Sequence, residues 1–376
     1  MPATYGVLLV SFSRHSHQDS FVPLYRNHPR VRIVAVADEP DVEPRLRELN
    51  RQRAREIGVP CIEGVDDALA IEGVDIVSIG HEIERRADLA VRAAGAGKHL
   101  WIDKFMGGSL EECDAVVDAV ARSGVRAIVP SYTYGTLVSR CRELIDNGDL
   151  GELVAVHSDI LFCKGWPEPD LSVSGDFLPA GPWKFPDIKR ELLTVGAYSV
   201  GLVQRCLGPI REVLAHGGAH FFSQHAARRA EDFATMTLVD AGGRLATLCA
   251  GRVGVATHAG GGPLRAWLVG SERSALVDAK RPLLETTLSR TVTATNYHPP
   301  AEDPMQWHTP SPTTASPLVD DACLGNGLED LVAAIDEDRQ PLYSAAEARD
   351  HMEILLAGYR SIVENGPVRL PERDGS

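Results

Sequence analysis

The sequence predicts an α/β protein in two parts: an N-terminal Rossmann-type parallel sheet, and a C-terminal α/β domain with an open, mostly antiparallel sheet. Three observations predict it. Over residues 1–130, short continuous apolar runs alternate with helical stretches, as strands buried on both faces do when crossover helices join them. Over residues 131–376, strand-like segments of alternating polarity follow one another without a helix between each pair, which favours antiparallel neighbours. Lys104 lies just past an apolar strand, at the edge where open α/β sheets bind ligands. The first part reads as a dinucleotide-binding domain. The second reads as a substrate-binding and oligomerisation domain.

The elements follow in order. Gly6-Val7-Leu8-Leu9-Val10 is uninterrupted and apolar, which suits a strand covered on both faces. His17 to His28 reads as a helix, with Pro23 either in its first turn or kinking it. Val31 to Ala37 is a second strand, closed by Asp38, and Glu43 to Ile57 is a charged helix. Val74 to Ile79 is a third buried strand. A helix from Glu84 to Ala96 leads to the strand that ends at Lys104. Leu110 to Ser123 has helical spacing, and Val125 to Val129 is the next strand. Past Tyr134, a helix from Thr136 ends in the capping pair Asn147-Gly148. Strands are expected at Leu153–Ile160, Phe233–Val239, Arg244–Ala250 and Arg265–Val269. Gly327–Asp336 and Ser344–Glu364 return to helical periodicity.

The 376 residues are 44% hydrophobic and 24% charged, the composition of a globular protein with room for two cores. The net charge of -14 lacks the basic footprint that nucleic acids and anionic membranes require. No apolar run approaches the ~18–20 residues of a membrane span. No signal peptide is evident after Met1, and the seven cysteines show no C-x-x-C spacing. The expectation is a cytoplasmic protein with reduced thiols.

The turn after the first strand normally carries G-x-G-x-x-G, because backbone must approach a pyrophosphate closely. Here it reads Ser11-Phe12-Ser13-Arg14-His15-Ser16-His17, without glycine. The helix N-terminus still offers N–H groups to a phosphate. Ser11 and Ser13 add hydroxyls, and Arg14 or His15 adds charge. Asp38 ends the second strand, where a carboxylate accepts hydrogen bonds from ribose hydroxyls and disfavours a 2′-phosphate. A plain turn residue is the alternative. His15 and His17 lack a partner set at metal-ligand spacing, so no metal site is expected.

Several segments resemble the glucose–fructose oxidoreductase/inositol dehydrogenase/rhizopine-catabolism family (Gfo/Idh/MocA), over nearly the whole chain. Ala94-Gly95-Ala96-Gly97-Lys98-His99-Leu100-Trp101-Ile102-Asp103-Lys104-Phe105 is similar to the family's "EAGKHVLCEKP". Leu144-Ile145-Asp146-Asn147-Gly148-Asp149-Leu150-Gly151-Glu152 is similar to "LIDSGELGE". The closing Pro367-Val368-Arg369-Leu370-Pro371 matches its tail. Some relatives carry "S-F-x-H-x-H" in place of the glycine turn. The family's "D-x-G-x-H" element reads Thr194-Val195-Gly196-Ala197-Tyr198, and Lys189-Arg190-Glu191 stands where glycines usually precede it. Asp103 replaces glutamate and Phe105 replaces proline, and His81-Glu82-Ile83 occupies the "TPN" loop.

The resemblance implies hydride transfer between a nicotinamide and a carbon of a sugar, glycoside or cyclitol. It implies NAD as cofactor, with NADP as the alternative, and a homodimer or homotetramer built on the outer face of the second sheet. It places Lys104 on the reacting hydroxyl and the nicotinamide ribose. It makes Tyr198 the proton-transfer group, since a phenol beside an ammonium loses its proton more readily. Thr194 would orient substrate, with Tyr132, Trp183 and Lys184 as pocket wall. The cofactor side would comprise Ser11, Phe12, Ser13, Arg14, His15, Asp38, His81, Glu82 and Lys104. Two other readings stay open: a non-catalytic ligand-binding or regulatory protein on this fold, and an enzyme with tightly held NAD doing net non-redox sugar chemistry.

Overall fold

The computed structural model describes residues 3–13, 16–163, 190–253, 258, 262–281, 283–288, 313–316 and 323–371. The chain packs as two units. The first comprises Met1–Gly135 and Ala322–Leu356, with Leu178–Ile188, which lie outside the described residues; the second comprises Thr136–Phe177, Lys189–Asp321 and Ala357–Ser376.

In the first unit the order is β1 (Tyr5–Val10), α1 (Gln18–Asn27), β2 (Val31–Asp38), α2 (Pro44–Ile57), β3 (Cys61–Glu63), α3 (Val65–Leu69), β4 (Ile76–Ile79), α4 (Ile83–Gly95), β5 (His99–Ile102), α5 (Leu110–Ser123) and β6 (Ala127–Ile128). The six strands form one sheet in the order β3-β2-β1-β4-β5-β6, and every pairing is parallel. Strand order reverses between β1 and β4, which makes their carboxyl ends the ligand crevice of such a sheet. β3 and α3 are too short for periodicity to announce them.

Caps follow the local chemistry. Pro44 opens α2 and Gly58 closes it at φ 85°, a conformation that costs glycine little. Ser109 accepts the Glu112 N–H at the start of α5, while the Glu112 carboxylate accepts from Gly108 N at 2.6 Å. Pro23 stands inside α1, past its first turn. The hydrogen bond it removes is offset by burial of Phe21, Val22 and Tyr25. Phe21 and Tyr25 meet buried Trp101 of β5 edge-on, at 5.4 and 5.9 Å between ring centres. The Tyr25 hydroxyl donates to Ser78 Oγ at 2.9 Å.

Helix α10 (Cys323–Asp336) also belongs to this unit. Asp330 Oδ2 accepts the Tyr134 hydroxyl at 2.8 Å, and Asp336 accepts that of Tyr5 at 2.6 Å. α11 (Ala345–Glu364) starts in this unit and ends in the second.

The second unit contains α6 (Thr136–Asp146), β7 (Leu153–Cys163), α7 (Glu191–Thr194), α8 (Gly196–Leu207), β8 (Ile210–Gly218), α9 (Ser223–Ala227), β9 (Phe233–Asp240), β10 (Leu245–Val253), β11 (Leu264–Gly270), β12 (Arg273–Asp278), β13 (Leu283–Leu288), β14 (Thr313–Ser316) and, after α11, β15 (Val368–Arg369). These strands form one nine-stranded sheet in the order β14-β13-β12-β11-β7-β10-β9-β8-β15. Only the β7–β10 pair is parallel among them. Along β9 the buried residues are Ala234, Met236, Leu238 and Asp240, so one face is core and the other is not. α8 covers the core face, and Ser199 on it accepts the Ser158 hydroxyl of β7 at 3.2 Å. Among the described residues no helix is long and apolar enough to cross a membrane.

Candidate active site

Parallel register places four loops along one sheet edge. Val10 of β1 pairs with Ala37 of β2 and with Ile79 of β4, and Ile79 pairs with Ile102 of β5. The residues just beyond these positions are Ser11–His17, Asp38, Gly80–Glu82 and Asp103–Phe105. This edge therefore gathers the described residues that the sequence assigns to the cofactor. Arg14 and His15 lie outside the described residues.

Ser11 does what a glycine would do there. Its φ is 65°, in the left-handed region that side chains disfavour by roughly 1–2 kcal/mol. Its Oγ is buried and has no hydrogen-bond partner among the described residues. Across the crevice, a Cβ added to Gly80 would come within 2.8 Å of Ser11 O and of the Gln18 side chain. The Phe12 side chain is core, and its N–H donates to Asn50 Oδ1 at 2.8 Å. Asn50 in turn donates to Asp38 Oδ2 at 2.5 Å, and Asp38 Oδ1 accepts from Glu39 N at 2.9 Å. His81 Nε2 stands 3.2 Å from Asp38 Oδ1, off the axis of a hydrogen bond, while its Nδ1 accepts from Glu82 N. Asp38 is thus a buried carboxylate already tied into the turn. Burial pushes the Glu82 carboxyl up, against the Ser13 hydroxyl and His81, which lower it.

Lys104 sits in a loop held by Arg86 of α4, which is 3% exposed. Arg86 Nε donates to His81 O at 2.7 Å. Its Nη1 donates to the carbonyls of Asp103 at 3.1 Å, Phe105 at 3.0 Å and Lys104. Its Nη2 reaches Asp103 Oδ2 at 3.3 Å. One guanidinium therefore fixes both loops that follow β4 and β5. The Lys104 ammonium lies 5.7 Å from the centre of the Phe105 ring. Asp103, where the family has glutamate, points into the protein and binds His17 instead of facing solvent. Neither Arg86 nor Asn50 was legible as a site residue, because a charged or amide side chain on a helix reads as solvent-facing.

In the second unit, Thr194 closes α7 and Tyr198 lies four residues on in α8, one helical turn away. Both are half-buried, and the Tyr198 ring meets Phe162 edge-on at 6.0 Å. The Thr194 hydroxyl lies 2.9 Å from Glu191 Oε2 and 3.1 Å from Arg190 O. Glu191 is 1% exposed; its Oε1 lies 3.0 Å from Arg252 Nη2 and 3.7 Å from His225 Nε2. Burial alone would raise the Glu191 carboxyl, but His225, Arg252 and Thr194 hold it below its ordinary value. A buried carboxylate thus lies three residues before Thr194, in reach of its hydroxyl. Glu231 accepts from Leu192 N at 2.9 Å and from the Tyr359 hydroxyl, which pins α7. Burial pushes Glu231 up despite those bonds. Trp183, Lys184 and the side chain of Tyr132 lie outside the described residues.

The first unit's edge suits a dinucleotide. It has a buried hydroxyl without a partner at the phosphate position, a glycine where a side chain would collide with the turn, and a helix N-terminus behind them.

Comparison with known proteins agrees with this geometry. Residues 12–131 match the model of an oxidoreductase family with an NAD-binding Rossmann fold. Residues 138–276 match the model of the GFO/IDH/MocA C-terminal domain. A 1-carboxy-3-chloro-3,4-dihydroxycyclo hexa-1,5-diene dehydrogenase of Comamonas testosteroni is 30% identical over 139 residues, 36% of this chain and 34% of that protein. A 2,7-anhydro-N-acetylneuraminate hydratase of Escherichia coli K12 is 26% identical over 234 residues, 59% of this chain and 55% of that one. The chain thus spans between a third and just over half of these relatives' lengths. The structure of a levoglucosan dehydrogenase in complex with NADH and levoglucosan superposes with TM-score 0.72 at 18% identity, covering 98% of this chain and 100% of that one.

Proposed function

The chain belongs to the GFO/IDH/MocA oxidoreductase family, and from that premise we propose that it is a nicotinamide-dependent dehydrogenase or reductase acting on a CH–OH group of a sugar, glycoside or cyclitol. The observation that carries the proposal is Lys104, a cation at the carboxyl edge of the parallel sheet, in a loop that Arg86 fixes at four points. NAD, or NADP as the alternative, would be held by the Ser11–His17 turn, Asp38 and the His81–Glu82 loop, and would supply the hydride acceptor or donor. Lys104 orients the reacting hydroxyl and favours its deprotonated form. Tyr198 takes the hydroxyl proton in oxidation or returns it in reduction, and Thr194 orients substrate. These roles follow from the resemblance of the Asp103–Phe105 and Thr194–Tyr198 segments to the family's two motifs. Titration with NAD(H) and NADP(H), followed by a sugar and cyclitol turnover screen, tests the reading. Saturable binding and hydroxyl-dependent NADH formation are expected. Cofactor binding without turnover of any polyol would leave a ligand-binding protein.

The similarity to a hydratase favours one second reading, in which a retained nicotinamide is regenerated within each cycle and no net redox change occurs. It predicts cofactor that survives gel filtration, and turnover without added NAD.

The partner of the second unit is proposed to be another copy of this chain. The non-core face of its sheet carries a row of Leu214, Thr237, Thr247, His157, Trp267 and Leu276 in register. Trp267 is 48% exposed, and the His157 ring stacks on it at 5.0 Å. An exposed indole on the non-core face of a sheet suits a two-fold interface. Light scattering on the purified chain is expected to give a dimer or tetramer; a monomer at all concentrations would reject this. The cellular location is proposed to be the cytoplasm, consistent with unbridged thiols at Cys61, Cys113, Cys141, Cys206 and Cys249.

A further inference from the structure

Arg252 is the last residue but one of β10, and it occupies a place where strands usually carry apolar residues. Ala246, Leu248 and Ala250 are buried on the core face of the sheet, and the two-residue period of a strand puts Arg252 on that same face. Its backbone N–H donates to Asp232 O at 2.7 Å, which holds the strand end. Among the described residues its guanidinium has one ion-pair partner, Glu191, with Nη2 3.0 Å from Oε1. Its Nε is buried and has no hydrogen-bond partner among the described residues, while the side chain as a whole is 25% exposed. A guanidinium carries five N–H donors in a rigid fork, so one ion pair leaves most of them unused. Unused donors at the rim of a core cost free energy that a bound acceptor offsets.

The same end of the sheet carries the groups assigned to substrate. Arg252 pairs in register with Phe162 of β7, and the Phe162 ring meets that of Tyr198 at 6.0 Å. Glu191 reaches Arg252 through Oε1 at 3.0 Å and Thr194 through Oε2 at 2.9 Å. Tyr198 follows Thr194 by one helical turn, so these five residues form a closed circuit. His225 Nε2 lies 3.7 Å from Glu191 Oε1. With Arg252 and Thr194 it outweighs burial, and Glu191 stays ionised. The other buried carboxylate, Glu231, is met by Arg190 at 3.8 Å and by the Tyr359 hydroxyl, so it does not draw on Arg252.

We propose that Arg252 is a specificity-determining residue whose open fork binds a carboxylate on the substrate, so that the protein acts on sugar acids in preference to neutral sugars. The proposal deepens the dehydrogenase reading above and rests on it. Glu191 takes one side of the guanidinium and the substrate carboxylate another, an arrangement that a planar cation with five donors allows. The pair with Glu191 aims the fork. The carboxylate is not the reacting group, so its contact strengthens ground state and transition state alike and acts on KM.

The test measures turnover with NAD and NADP on two matched pairs, D-glucose with D-glucuronate and D-galactose with D-galacturonate. Wild type, Arg252→Lys and Arg252→Gln are compared, with thermal melts. Calorimetric titration of the same four sugars in the presence of NADH reads binding apart from turnover. Wild type is expected to prefer an acid to its matching hexose in kcat/KM. That ratio should fall about 10- to 100-fold in both variants, mainly through KM. Arg252→Lys keeps a positive charge beside Glu191, so it separates loss of the fork from loss of the fold. A merely structural Arg252 would lower acid and hexose turnover together and leave the ratio unchanged, which overturns the inference. So does a wild-type preference for the hexoses, an acid preference that survives in both variants, or the absence of calorimetric binding of either acid. Acid binding that requires Arg252 but gives no turnover keeps the carboxylate site and overturns the dehydrogenase reading instead.

Discussion

Lys104→Ala is expected to lower kcat/KM for the enzyme's substrate by about 10²–10⁴ while leaving the fold nearly unchanged. The reason lies in the bond being made. Oxidising an alcohol develops negative charge on oxygen, and an ammonium in a fixed loop stabilises that charge more than the neutral ground state. Lys104 is only half-buried, so much of its side chain already faces solvent and the melting temperature should move little. Lys104→Arg keeps the charge but changes a compact donor into a planar fork, so rescue should be poor. Parallel loss of melting temperature and activity would instead make Lys104 a structural residue.

Arg86→Ala is expected to cost about 3–5 kcal/mol of stability, the range for removing one partner of a buried ion pair. Arg86 and Asp103 are both buried, and Arg86 also serves four backbone carbonyls. Arg86→Lys should recover little, since an ammonium cannot span both loops. The pH dependence has a definite sign. Asp103 in the folded protein lies below its ordinary value, so its contribution is complete above the unfolded carboxylate value of about 3.9 and is lost as pH falls through the lower folded value. Without Arg86, burial dominates and the carboxyl of Asp103 rises. The stability gap between wild type and variant should then narrow in acid. Chemical denaturation at pH 7.5 and pH 5 measures it; a gap below 1 kcal/mol at pH 7.5, or one that widens in acid, would sink the assignment.

Much of the architecture was legible because it rests on local pattern. β1 carries the continuous apolar run Gly6–Val10 and β4 is apolar but for Ser78, and both runs proved buried on both faces. α5 runs over the residues its spacing indicated, from a serine cap to a glycine. The short β3, and β8, β12, β13 and β15, were not legible, since their pairing across the sheet defines them more than their own alternation. The helix expected across Pro23 is present, with Pro23 past its first turn, and packing around Trp101 sustains what propensity alone would break.

The site divides in the same way. The positions of Ser11, Asp38, His81 and Lys104 at strand ends follow from chain order, because a parallel sheet sends every strand's carboxyl end to one edge. What holds them does not follow from chain order. Arg86, Asn50, Glu191 and Arg252 sit on helices or strands where sequence suggests solvent; Arg86 and Asn50 are instead tied to loops, and Glu191 and Arg252 to each other. By itself, the sequence determined the fold class and which residues reach the sheet edge, because periodicity and chain direction are properties of neighbours along the chain. Only the tertiary structure decided that Asp103 turns inward to His17 and Arg86, and that the Glu191 carboxylate is buried against Arg252 and the Thr194 hydroxyl. Burial and pairing of charge depend on residues brought together from distant parts of the chain, and desolvation leaves no mark on the local pattern.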